Sequence, residues 1–151
     1  MPYPPEIVQP ARDELTLAGF APLLTAEAVE AELAKEGTLL VVVNSVCGCA
    51  AGSARPGAVR AVSSPGPRPQ RLATVFAGED VEAVNRVRRQ LEGFPPSSPS
   101  IALFVDGDPV FLMERRHIEG LRPEDVATAL SNAFATPVSY THLTLPTSDL
   151  V

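Results

Sequence analysis

The chain's apolar positions fall into two periods, one of strands and one of helices. Leu39-Leu40-Val41-Val42-Val43 is apolar at every position, which predicts a central strand covered on both faces. Leu72–Phe76 predicts a second strand. Ile101–Val105 and Val110–Met113 predict two more, joined as a hairpin through Asp106-Gly107-Asp108-Pro109. Helical spacing separates these runs. Ala11, Leu15 and Ala18 share one face after Pro10, a residue suited to the first helical position, and Gly19 marks the stop. Thr25 predicts the N-cap of a second helix carrying Ala28, Val29 and Leu33, with Gly37 at its end. Ala50–Val62 fits a helix made irregular by Gly52, Pro56 and Gly57, where Pro56 kinks it or caps a shorter piece. Val81, Val84, Val87 and Leu91 give a helix over Glu79–Leu91, stopped by Gly93. Pro123 opens a last helix with Val126, Leu130 and Phe134 on its buried stripe.

Two proline-rich stretches, Ser63–Gln70 and Pro95–Pro99, read as loops. The order is therefore α-α-β-α-β-α-β-β-α, and everything from the first strand onward matches the minimal thioredoxin fold. A right-handed crossover makes the first two strands parallel, and the hairpin adds an antiparallel edge. The expected class is α/β: a central four-stranded mixed sheet flanked by helices, with an N-terminal helical extension. Residues 1–135 are expected to form a single domain. Residues 136–151 lack continuity with any element, and Val138–Thr147 resembles translated adapter read-through. This tail is expected to be non-native or disordered, with no function for His142.

Composition narrows the function. With 151 residues and 45% apolar content, the chain can bury one ordinary core. A net charge of −6 leaves no basic stripe to displace phosphate counterions, so nucleic acid is not an expected partner. Arg86, Arg88 and Arg89 read as a solvated helix face. No apolar run reaches the roughly 18 residues of a membrane span. Met1–Glu6 has neither the basic region nor the apolar core of a secretory signal, so the expected compartment is the cytoplasm.

Against that background the only two cysteines, Cys47 and Cys49, carry the chemistry. They follow the first strand and precede a helix, at the C-terminal end of the strand where open α/β sheets place their sites. The thiolate is the reactive form, and the free N–H groups of a helix's first turn favour it, which makes Cys47 the better nucleophile and Cys49 the resolving thiol. Gly48 removes bulk between them and permits unusual backbone angles. A disulfide across one residue closes a small, strained ring that is easily reduced, which favours mixed-disulfide handling or isomerisation over strong reduction. Ser98-Pro99 occupies the place where thioredoxin-like folds carry a cis-proline facing the cysteines and aligning an extended substrate. A metal site is the rival reading. Zinc normally takes four ligands, no second cysteine pair exists, and His117 is the one credible histidine, so no metal is expected. A third reading makes the pair inert buried thiols.

The segment Val41–Gly52 around Cys47-Gly48-Cys49, with Ala54-Arg55-Pro56, resembles the bacilliredoxin family. The similarity runs on through Thr74–Gly78, Pro95–Ser100, Glu114-Arg115 and His117–Gly120, and covers the chain from about Pro10 to Phe134. One departure is Ser53, where asparagine is expected of the family. The resemblance implies a thioredoxin-like thiol–disulfide oxidoreductase that removes bacillithiol, a low-molecular-weight thiol, from mixed disulfides on oxidised client proteins. It implies Cys47 attacking and Cys49 resolving, bacillithiol as co-substrate, and no bound cofactor. Disulfide isomerase activity is a neighbouring implication.

Overall fold

A computed structural model describes residues 3–136. The expectations for residues 137–151 and for Met1 and Pro2 lie outside the described residues. In chain order the elements are α1 (Pro5–Thr16), β1 (Ala21–Pro22), α2 (Ala26–Leu33), β2 (Thr38–Asn44), a π-helical turn (Ala50–Ala54) and α3 (Arg55–Ser63). They continue with β3 (Arg71–Phe76), α4 (Val81–Gln90), β4 (Ser100–Val105), β5 (Asp108–Met113), α5 (Arg115–Ile118) and α6 (Pro123–Ala135).

The strands form one sheet in the order β1-β3-β2-β4-β5. β2 runs parallel to β3 and antiparallel to β4, and β4–β5 is the antiparallel hairpin. Asp106 (φ 52°) and Gly107 (φ 86°) both take the left-handed backbone that a tight hairpin turn asks of its two central residues. The expected class and hairpin hold. The sheet has five strands rather than four because Ala21 and Pro22 pair with Ala73 and Thr74 as a short edge.

The apolar run of β2 divides between the two faces. Leu40 and Val42 join Leu15, Ala58, Ile101, Val126 and Leu130 in the core under α1, α3 and α6. Leu39, Val41 and Val43 join Val29, Val75, Val84, Val87 and Phe104 under α2 and α4. Both layers leave β2 with no solvent contact along its apolar stretch, as its uninterrupted pattern requires. α3 and α6 approach so closely at Gly57 that an added Cβ would sit 2.6 Å from Val126.

Several local features depart from the sequence expectation. α1 begins at Pro5 and Pro10 lies inside it, because Pro5 takes the N-terminal position. Val81 is 56% exposed and Ala83 takes its place on the buried stripe of α4. Arg88 is only partly solvated: its Nε is buried without a hydrogen-bond partner among the described residues, and burial pushes the guanidinium below its usual pKa. The segment after the cysteines divides at Pro56. Proline has no N–H for the carbonyl of Gly52, and the preceding turn widens until the Arg55 N–H bonds the Ala50 carbonyl.

Candidate active site

The site forms where β2 ends. Asn44, fully buried, donates from Nδ2 to the Ala11 carbonyl (3.0 Å) and accepts the Ser45 N–H (2.8 Å) on Oδ1. The same oxygen accepts from Arg55 Nη1 (2.9 Å), which also reaches the Ser45 carbonyl (2.6 Å), while Arg55 Nε pairs with Glu14 (2.7 Å). One buried arginine thus ties the end of β2 to α1 and α3. The turn from strand to helix that presents Cys47 is fixed from below by these bonds.

Above this base the chain becomes helical at Gly48, so Cys47 stands at the helix start, and its carbonyl accepts the N–H groups of Ala50 and Ala51 (both 3.1 Å). Both cysteines are free thiols and partly exposed. The Ser45 hydroxyl lies 3.1 Å from Cys47 Sγ and accepts the Cys47 N–H (3.3 Å). Partial burial pushes the Cys47 thiol up. The Ser45 hydroxyl, the N–H groups of Ala50 and Cys49 and the charge of Arg115 together outweigh it and hold the thiol below its ordinary value. Helix-start donors were expected to do this, and the serine and arginine add to them.

Gly48 adopts ordinary helical backbone, and a Cβ there would meet nothing within 4 Å. The expectation of unusual backbone angles is therefore corrected: what glycine leaves is open space between the thiols. The Ser98–Pro99 bond is cis, and Ser100 follows it opposite Val43 in the register. The cis-proline accordingly lies at the same sheet end as the cysteine loop.

Arg115, at the start of α5, joins the two halves. Its Nη1 donates to the Ser98 carbonyl (3.4 Å), its N–H to Ser97 Oγ (3.3 Å), and its charge acts on both Cys47 and Cys49. Its Nε pairs with Glu119 Oε2 (3.1 Å), and that oxygen lies 3.9 Å from Cys49 Sγ. The pairing with Glu119, followed by the facing thiols, raises the pKa of Arg115, which keeps the guanidinium charged. His117 stands apart as a cap: its Nδ1 accepts the Glu114 N–H (2.9 Å) while Glu114 accepts the N–H of His117 in return. Ser53 sends its hydroxyl to the Leu121 carbonyl and so fastens the π-helical turn to the loop before α6. Among the described residues no group of three or more His, Cys, Asp or Glu side chains is placed to hold a metal.

The sequence singled out the cysteines and the proline and gave no site role to Ser45, Arg115 or Glu119. A hydroxyl two residues before Cys47 was a readable signal. Arg115 and Glu119 lie in the segments of family resemblance, but only the course of β5 into α5 brings them to the cysteines.

A family profile described as disulphide isomerase matches residues 3–137. A bacilliredoxin of Salinibacter ruber is 50% identical over 89% of this chain and 80% of its own length. One of Cytophaga hutchinsonii is 52% identical over 87% and 97%, and one of Bacillus cereus is 50% identical over 85% and 89%. Among solved structures, Trxlp from Edwardsiella tarda superposes with a TM-score of 0.54 at 17% identity, covering 77% of this chain and 99% of that one. This last likeness concerns the fold alone, which is thioredoxin-like.

Proposed function

The chain belongs to the bacilliredoxin family, whose thioredoxin-like members are thiol–disulfide oxidoreductases, and from that premise we propose that it removes bacillithiol from mixed disulfides on oxidised client proteins. The observation that carries this reading is the asymmetry of the pair. Cys47 is supplied with thiolate-stabilising donors from Ser45 and the backbone, and a second free thiol waits two residues further on.

In the first step the Cys47 thiolate attacks the bacillithiol sulfur. A bond forms between Cys47 Sγ and bacillithiol, the old S–S bond breaks, and the client leaves as a thiolate that takes a proton from solvent. In the second step Cys49, or a second bacillithiol, attacks Cys47 Sγ and displaces the first bacillithiol as its thiolate. Bacillithiol is a co-substrate in this scheme and no resident cofactor is required. The open surface at Gly48 and the Ser98-Pro99 backbone would receive the client strand. A net charge of −6 does not favour nucleic acid as a partner, and no described helix is long and apolar enough to cross a membrane. Such chemistry fits a cytoplasmic setting.

The test is reduced protein mixed with one bacillithiolated and one glutathionylated client. Faster release from the bacillithiolated client supports the proposal. Equal rates on both would leave a general oxidoreductase, and turnover only on scrambled disulfides would favour isomerisation, the activity that the family description prints.

A further inference from the structure

Resting on that reading of Cys47 and Cys49, we propose that Glu119 takes the Cys49 proton in the resolving step. The carboxylate comes from the end of α5, after the hairpin, and its Oε2 is 3.9 Å from Cys49 Sγ, close enough for the S–H to donate. The same oxygen is held from the other side by Arg115 Nε at 3.1 Å. Among the described residues, Arg115, on α5, is the cation that this pair shares with Cys47, on the cysteine loop. Arg115 is itself tied to the Ser98 carbonyl, so the carboxylate is aimed by the wall of the site rather than by its own loop alone.

The two thiols therefore receive different partners. Cys47 gets donors that favour its anion, from Ser45 and from the backbone. Cys49 gets an acceptor for its proton. This suits the order of events: Cys47 must be anionic before the client arrives, and Cys49 must stay protonated until a mixed disulfide stands on Cys47. Cys49 Sγ then attacks Cys47 Sγ while its proton moves to Glu119. The Cys47–Cys49 bond forms, the bond to the low-molecular-weight thiol breaks, and that thiol leaves as a thiolate. Cys49 is oxidised and the leaving sulfur reduced. Glu119 afterwards returns its proton to the departing thiolate or to solvent.

Single-turnover mixing with glutathione disulfide as probe separates the two steps. Loading of Cys47, which expels the first glutathione, is followed in the Cys49→Ala background, and release of the second glutathione in the background with both cysteines. With Glu119→Gln, release of the second glutathione at pH 7 should slow by about tenfold or more relative to loading, less than the roughly 10²–10⁴-fold of a closely positioned side chain because this contact is exposed and 3.9 Å long. The deficit should shrink as pH rises and solvent deprotonates Cys49. Equal slowing of loading and release, or a release rate unchanged at every pH, would overturn the assignment. Failure of Cys47 to load in the Cys49→Ala protein would instead sink the nucleophile assignment on which it rests.

Discussion

Replacing Ser45 with alanine should slow the protein below the titration midpoint of Cys47 and speed it above. The hydroxyl is 3.1 Å from Cys47 Sγ and donates to the thiolate. Hydrogen bonds to charged groups contribute about 1.5–3 kcal/mol. Cys47 is partly open to water, which replaces some of that loss, so the lower end applies. About 1.4 kcal/mol is a tenfold change in an equilibrium, and below the titration midpoint the thiolate population should fall about tenfold. The remaining thiolate is more basic and hence more nucleophilic. With a Brønsted slope of about 0.4–0.5, a tenfold loss of acidity raises the anion's reactivity about threefold. Below both midpoints the net effect is about threefold slower exchange, and above both about threefold faster. The assay is the pH–rate profile of Cys47 with a low-molecular-weight disulfide, both proteins carrying Cys49→Ala so that one thiol reports. The two profiles should cross. Parallel profiles, or a slower Ser45→Ala protein at every pH, would refute the role of the serine as an anion-stabilising donor.

Arg55→Met keeps the buried stem but removes the bonds to Glu14, Asn44 and the Ser45 carbonyl. Breaking a buried ion pair costs about 3–5 kcal/mol, and the partial exposure of Glu14 lowers this to about 2–3 kcal/mol. Urea unfolding should show that loss, and a change under about 0.5 kcal/mol would contradict the clamp. The pKa of His117 is lowered, by burial first and then by Arg116, against an opposing pull from Glu114. A histidine that binds its proton less readily when folded contributes stability above its unfolded pKa of 6.5, and the contribution is lost as pH falls from there through the lower folded pKa. Urea midpoints should therefore drop between pH 7.5 and 5.5. The drop should flatten in His117→Asn, whose amide oxygen can still accept the Glu114 N–H, and an unchanged slope would place the titration elsewhere.

The parts of the fold that were legible in the sequence are those where local chemistry and global packing agree. Thr25 caps α2 as its residue type predicts, accepting the Ala28 N–H at 3.1 Å. β2 is buried on both faces because every position in its apolar run has a layer to meet. The illegible parts owe their existence to partners distant in the chain. Ala21-Pro22 is a strand only because β3 offers it an edge, and both residues are exposed. α5 is four residues long and shows no apolar period. Pro10 misled because a proline suits a helix start wherever it occurs, and Pro5 had the same claim. The site divides in the same way. Cys47, Cys49 and the Ser98-Pro99 position could be read from spacing and order, whereas Arg115 and Glu119 reach the thiols through tertiary structure.

The most direct test of the different roles given to the two thiols is to trap the adduct on each single-cysteine protein. Cys49→Ala and Cys47→Ala are mixed in turn with a bacillithiolated client and quenched with acid, and the adduct is located by peptide mass spectrometry. The different environments of the thiols predict bacillithiol on Cys47 of the Cys49→Ala protein, released client thiol in equal amount, and neither product from Cys47→Ala. Bacillithiol accumulating on Cys49 of the Cys47→Ala protein at the wild-type rate would contradict it.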